Sequence, residues 1–437
     1  MKRVSTMGLA AAMVFGGMSV VATAPAMAVQ AAEEAEEFDA GEISDGVRAV
    51  VVAAQTALEA EEGPVDTAAL QAQLEGGVPL IQNQDDRFIL GQLMLQLAAK
   101  MQEQGGAAEQ VQAVQLQGIR MSLDSNRVAL DRRATFWLAL GNAANSAGDN
   151  AGAIEAYQNV LRYDPTNADA LIQTALAHFN SDNHAAGYDS ASRAFETLRA
   201  AGQEIPSSWH TVPFRAAYQT SDVPRVVEFG TALLASHPSP QNWNEVLRVY
   251  QTAGRLEDQP NLDLLRLMRA TNGLDANSIN EYVRLAAQRG LPREAQQVYE
   301  ASIAGGAIPP NQEIASELTA NVAADQGGLA ESEAAARNAA AGRIALNTAD
   351  AYASYGETTK ALELYDLALE KGGVDAGTVN LRKGTLLYSM GQADQARAAF
   401  EAVTGDRAPH AAFWLRWLDE QAGPAAAPAT AEPASAE

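Results

Sequence analysis

The 437-residue sequence contains no cysteine. Disulfides are therefore excluded, as is any lipid-anchored export signal that requires a cysteine, and stability must come from packing. Without cysteine, the five histidines (His178, His184, His210, His237 and His410) do not suggest a zinc site of the usual ligand mix. No HExxH pair and no two histidines at i, i+4 occur. No two glycines stand two apart, so G-x-G-x-x-G cannot arise, and the P-loop, G-x-S-x-G and D-x-[DN]-x-[DN]-G patterns are missing too. No spacing singles out one carboxylate pair. The sequence thus names no catalytic residue, metal ligand or cofactor, and a non-enzymatic protein is expected. Basic residues are also scarce, 30 against 54 acidic, for a net charge of −24. That balance speaks against nucleic acid, whose phosphates need clustered cations, and against an anionic membrane surface.

Lys2 and Arg3 precede an apolar stretch from Met7 to about Ala22, and Ala26-Met27-Ala28 has the small-x-small form of a cleavage site. Residues 1–28 are read as a secretory signal peptide, which implies an exported, periplasmic or secreted, protein. Its removal would leave 28 basic against 54 acidic residues, net −26. No later segment offers 18 uninterrupted apolar residues, so no span is expected after signal removal. Residues 29–46 carry Glu33, Glu34, Glu36, Glu37, Asp39, Glu42 and Asp45 and read as a solvated acidic lead-in. Residues 422–437 form an Ala/Pro/Glu tail with nothing to bury.

Hydrophobic residues make up 47% of the chain but aromatics only 6%, and small residues suit closely packed helices. Between the two polar ends the apolar spacing is three and four, with Gly and Pro at short intervals and no sustained alternation. The stretch WLALGNAANSAGDNAGAIEAYQNVLRYDP, Trp137 to Pro165, shows why. Counting from Ala134, the residues Trp137, Leu140, Gly141, Ala153, Tyr157 and Pro165 occupy the places of W-x2-L-G-x2-Y, A-x3-F and P in a 34-residue period. Only Ala144 departs, at the Tyr place. The stretch resembles a tetratricopeptide repeat. A second unit starts at Ala168, with Leu171, Ala175 and His178 on one helix and Gly187, Ala191 and Ala194 on the next. Two late units start at Gly342 (Ala349, Tyr352, Gly356, Ala361, Tyr365, Ala368) and Gly377 (Gly384, Gly391, Ala396, Phe400, Val403).

The fold expected is all-α, a solenoid of helix–turn–helix repeats. Residues 47–133 hold N-terminal helices with one repeat-like unit from Arg87. Two clear units fill 134–206, degenerate pairs fill 207–341, and 342–421 hold two clear units and a helix carrying Trp414 and Trp417 that caps the stack. No unit can bury its apolar stripe alone, so neighbours stack and leave a concave groove.

In the family this resembles, the first helix of each unit lines the groove, and its non-packing positions face a bound peptide. By offset these are Thr135, Leu138, Asn142 and Asn145, then Asp169, Gln173 and Asn180, and in the late pair Arg343, Asn347, Asp350, Arg382 and Tyr388. The early units offer none of the cations of the family's carboxylate clamp, whereas Arg343 and Arg382 leave that possibility open. The resemblance implies a scaffold that binds another cell-envelope protein or peptide, in outer-membrane assembly, polysaccharide secretion or envelope maintenance. Two other readings stand beside it: a ligand-binding or enzymatic site in the degenerate middle, and a self-associating structural protein. Partner identity and oligomeric state are not encoded in any motif.

Overall fold

The computed structural model describes residues 41–59 and 63–423. The expected signal peptide, most of the acidic lead-in and nearly all of the C-terminal tail lie outside the described residues. Among the described residues, the regular structure is helical throughout, with no strand. The chain divides into two compact units, one up to Thr197 and one from Leu198.

The first unit runs through α1 (Asp45–Leu58), α2 (Thr67–Gly77), α3 (Gln84–Glu103), α4 (Ala108–Asp124), α5 (Leu130–Ser146), α6 (Asn150–Tyr163), α7 (Ala168–Asn180) and most of α8 (His184–Ala200). Helices α3 and α4 pack as one hairpin, α5 and α6 as another, and α6 leans on α7. Each buries a stripe. Ala153, Tyr157 and Val160 of α6 meet Ala170 and Ala177 of α7, with Trp137, Leu138 and Ala144 packed against them.

Local chemistry sets the ends of these helices. The carboxylate of Asp149 accepts from the Gly152 amide at 2.9 Å and starts α6. Asn167 likewise accepts from Ala170 at 2.9 Å and starts α7, so the DPTN turn supplies a cap as its composition predicts. Gly148 closes α5 at φ 73°, a left-handed conformation that costs glycine nothing. Gly141 has a different task. A Cβ there would lie 2.5 Å from the Tyr157 ring, so the α5–α6 approach requires its absence. Gly141→Leu should destabilise the first unit by about 1–3 kcal/mol through overpacking, read as a lowered urea midpoint with an unchanged m-value.

The second unit contains α9 (Ser207–Gln219), α10 (Val223–Ser236), α11 (Pro240–Ala253), α12 (Asp258–Ala270), α13 (Ala276–Gln288), α14 (Pro292–Ala304), α15 (Gln312–Gln326), α16 (Leu329–Asn338), α17 (Arg343–Ser354), α18 (Thr358–Lys371), α19 (Ala376–Ser389), α20 (Ala393–Glu401) and α21 (Ala408–Ala422). The degenerate middle keeps the hairpin order, α9 on α10 and α13 on α14. Helices α15 and α16 are the exception in burial: Leu318 and Ala336 are their only fully buried apolar side chains. They are tied to α17 and its C-terminal turn by tyrosine hydroxyls instead, Tyr355 donating to Asp325 at 2.8 Å and Tyr352 to Glu333 at 2.8 Å.

The last helix does more than cap a linear stack. Helix α21 packs on α20 as expected, but also on α10 and α12. The Trp243 indole of α11 donates to Glu420 at 2.9 Å, and the rings of Trp243 and Trp417 meet edge-on at 5.6 Å. Phe413 packs on Tyr250 at 5.4 Å. Aromatic side chains thus join the end of the second unit to its middle, and the helices stack in sequence while the unit closes on itself.

Candidate functional site

Inside the closed unit lies a cleft of about 410 Å³. Its wall is built from α12, α13, α14, α17, α18, α19 and α21, so both the degenerate middle and the late repeats contribute. The back of the cleft is a buried charge network centred on Asp263 of α12, which is 2% exposed. Its carboxylate accepts from Arg382 of α19 at 3.0 Å, from Arg266 of its own helix at 2.9 Å, and from Arg407, in the turn before α21, at 3.1 Å. Burial pushes the Asp263 carboxyl up, but the guanidinium groups of Arg382, Arg266 and Arg407 outweigh it and hold it at about 2.

Arg266 also makes a two-pronged pair with Glu294 of α14, both contacts at 2.8 Å. Tyr282 of α13 donates its hydroxyl to the same Glu294 at 2.8 Å. Arg382 reaches across to Asp350 of α17 at 2.6 Å, and Tyr365 of α18 donates to Asp350 at 2.7 Å. Burial raises the Asp350 carboxyl despite the neighbouring guanidinium groups of Arg382 and Arg266, and raises both tyrosine hydroxyls. Glu294 is lowered, because its contacts with Arg266 and Tyr282 outweigh burial.

The residues expected in a groove fall into three settings. In the first unit Thr135, Asn142, Asp169 and Asn180 are exposed, while Asn145 and Gln173 are half-buried. Although Asp169 is exposed by area, partial desolvation by its surroundings pushes its carboxyl above the ordinary range. Leu138 is not a free groove position, since it packs against the α6–α7 core. In the second unit Arg343 and Asn347 are exposed, whereas Asp350 and Arg382 are interior, 7% and 5% exposed. Arg382 is therefore no free clamp cation: its charge is spent on Asp263 and Asp350. Asp350, Arg382 and Tyr388 all line the cleft, and Asn347 lines a smaller pocket of about 180 Å³ that shares Arg266, Asp350 and Arg382 with it.

The offset that places Asn142 and Asp350 on a groove also fixes their partners. Asn142 accepts from Tyr157 at 2.9 Å, and Asp350 from Tyr365, each across 15 residues. Position nine of the repeat is thus tied to the second-helix tyrosine of its own unit. Sequence reasoning missed Asp263, Arg266, Glu294 and Arg407. Their one visible signal is the set of charged residues on otherwise apolar helical faces in the degenerate middle, where the partners lie 119 and 144 residues away.

Among the described residues, no group of His, Asp and Glu is arranged to hold a metal ion, and no helix is long and apolar enough to cross a membrane. His178, expected in a packing place, is half-buried with its Nδ1 unpartnered, and burial lowers its pKa.

No curated protein matches the sequence. Among solved structures, the chain is similar to the MamA protein (15% identity over 55% of this chain and 92% of that one, TM-score 0.19). It is also similar to a tetratricopeptide repeat protein from Parabacteroides merdae (12%, 65% and 99%, TM-score 0.26) and to pilF of Pseudomonas aeruginosa (15%, 62% and 90%, TM-score 0.16). Two repeat families match the sequence itself, one described as TPR repeat over residues 141–182 and one as tetratricopeptide repeat over 381–418. Both matches fall on hairpins whose signature residues pack as the 34-residue pattern requires, Gly141 against Tyr157 and Gly384 against Phe400, and the chain is a tetratricopeptide-repeat protein.

Proposed function

We propose that this protein is an exported, periplasmic scaffold that holds another cell-envelope protein, or a peptide segment of one, along the first helices of its repeats. Tetratricopeptide repeats are protein-interaction modules, and stacked repeats offer extended surfaces rather than a single reacting centre. The observation that carries the reading is the state of α5 and α7. Thr135, Asn145, Asp169, Gln173 and Asn180 are polar, keep at least part of their surface exposed and are not used by the α6–α7 core. Asn and Gln side chains there can both donate to and accept from an extended peptide backbone. The N-terminal signal-like segment supports export, and the acidic balance supports a protein partner over nucleic acid.

A photo-crosslinking amino acid placed at Gln173 or Asn180 in intact cells tests this directly. The same residue at Gln158, exposed on the second helix, serves as the control. A reproducible adduct from the two first-helix positions and none from Gln158 is expected, with the mature protein in the periplasmic fraction. Equal adducts from all three positions, or an uncut protein in the cytosol, would overturn the reading.

A further inference from the structure

We propose that the cleft of the second unit is a binding site for a small organic anion with an apolar body. This goes beyond the scaffold reading and does not depend on it. The cleft has the volume of a small-molecule site, for which about 300–1,000 Å³ is usual, and its groups converge from three separate stretches of the chain.

The sign of the ligand follows from which charges are already used. Asp263, Glu294 and Asp350 are matched by Arg266, Arg382 and Arg407, and this buried set is neutral. Both oxygens of Glu294 and both of Asp350 already accept from arginine or tyrosine. The carboxylates of the wall therefore have no unmet demand for a cation or a donor.

Donors, by contrast, are left over. Arg269, one turn along α12 from Arg266, lines the cleft and is exposed, and makes no ion pair or hydrogen bond among the described residues. Its charge is felt by Glu294 and Tyr282, but neither of them hydrogen-bonds it. Tyr388 accepts from the Trp417 indole at 2.8 Å, so its own hydroxyl proton remains to be donated. Trp414, 1% exposed, keeps an indole N–H with no acceptor, and a buried donor left unmet is costly. An acceptor-rich, negatively charged ligand in the cleft would meet the Arg269 guanidinium and the Tyr388 hydroxyl.

The rest of the wall sets the body of the ligand. Leu386, Ala270 and Ala353 give apolar surface. The Trp414 ring is stacked on Phe400 at 5.1 Å, meets Tyr388 at a tilt at 5.1 Å and is 1% exposed, so it offers no open platform for a sugar. Recognition is therefore of charge and edge donors beside an apolar wall, as an aryl or alkyl carboxylate or sulfonate would require.

The test uses the full chain and the fluorescent anion 8-anilinonaphthalene-1-sulfonate, with neutral N-phenyl-1-naphthylamine as its uncharged counterpart. One saturable site per chain is expected for the sulfonate, with binding at least about tenfold weaker for the neutral dye. Arg269→Gln, which removes the charge without setting a second carboxylate beside Glu294, should weaken the sulfonate at least about tenfold while leaving the melting temperature near that of the parent, because Arg269 is exposed and makes no hydrogen bond or ion pair among the described residues. Ser389→Trp, which fills the cleft from an exposed position on α19, should remove the site. Absence of a saturable site, equal binding of the two dyes, or unchanged affinity in either variant would overturn the proposal. All readouts come from purified protein without any partner, so they stand or fall separately from the cross-linking result.

Discussion

Asp263→Asn should lower the stability of the second unit by about 3–5 kcal/mol, the range for removing one member of a buried ion network. The carboxylate is 2% exposed and accepts from Arg382, Arg266 and Arg407 at once. Asparagine keeps the shape but removes the charge, and its amide N–H2 has to face guanidinium donors. Arg266 would keep Glu294 and Arg382 would keep Asp350. Arg407 would keep no carboxylate, since Asp263 is the one it pairs with among the described residues. The loss should therefore fall on the closure that brings the turn before α21, α12 and α19 together. Chemical denaturation followed by circular dichroism reads it, with the first unit as an internal reference. Asp419→Asn is the matched control. Asp419 meets Arg397 at 2.6 Å but in solvent, half-exposed, and should change stability by about 1 kcal/mol or less. Equal small effects from both substitutions would show that Asp263 does not hold the unit closed.

The same comparison explains what could be read from the sequence and what could not. The hairpins α5–α6 and α19–α20 are legible because each is specified within 34 residues: small residues at Gly141 and Gly384 meet Tyr157 and Phe400 at a fixed offset. The stacking of neighbours follows from apolar stripes that no single hairpin can bury. The closure of the second unit is not legible, because it is made by pairs that are remote in the chain. Trp243 finds Glu420 across 177 residues and Tyr250 finds His410 across 160, and no local period encodes such contacts. Groove positions were legible as places in a period but not as environments. Asn347 and Arg382 hold the same place in successive late repeats, yet one is exposed and the other is buried between two carboxylates. The return of α12 against the late repeats decides that difference. It turns what would be an open groove there into the interior of a cleft.

The second unit should also lose stability as pH falls from about 6.5 to about 4, with His410 alone accounting for up to about 3 kcal/mol. His410 is fully buried on α21. Its Nε2 lies 2.9 Å from the Pro260 carbonyl, which can only accept, so that nitrogen carries the proton. Its Nδ1 lies 3.1 Å from the Tyr250 hydroxyl and accepts from it in the neutral ring. Burial lowers the imidazole pKa to about 4, against the pull of Asp263 and the Pro260 carbonyl and with the help of Arg407. In the unfolded chain the ring returns to about 6.5, so between these values the unfolded state binds a proton that the folded state does not. Stability from this group is full above 6.5 and is lost progressively down to about 4. His210 is lowered to about 4 as well, first by burial and then by His237 and Arg199, and titrates in the same window. Asp263 acts separately, contributing above its ordinary value of 3.8 and losing that contribution only as pH falls toward 2. The limiting slope above pH 4 from these two rings is therefore two protons, and His410→Gln should reduce it to one. That variant should be less stable than the parent at pH 7.5, where Tyr250 and Pro260 lose an ideal partner, yet should give up less on acidification. Urea midpoints at half-unit steps from pH 7.5 to 4 decide it, and parallel curves for parent and variant would show that His410 does not titrate on unfolding.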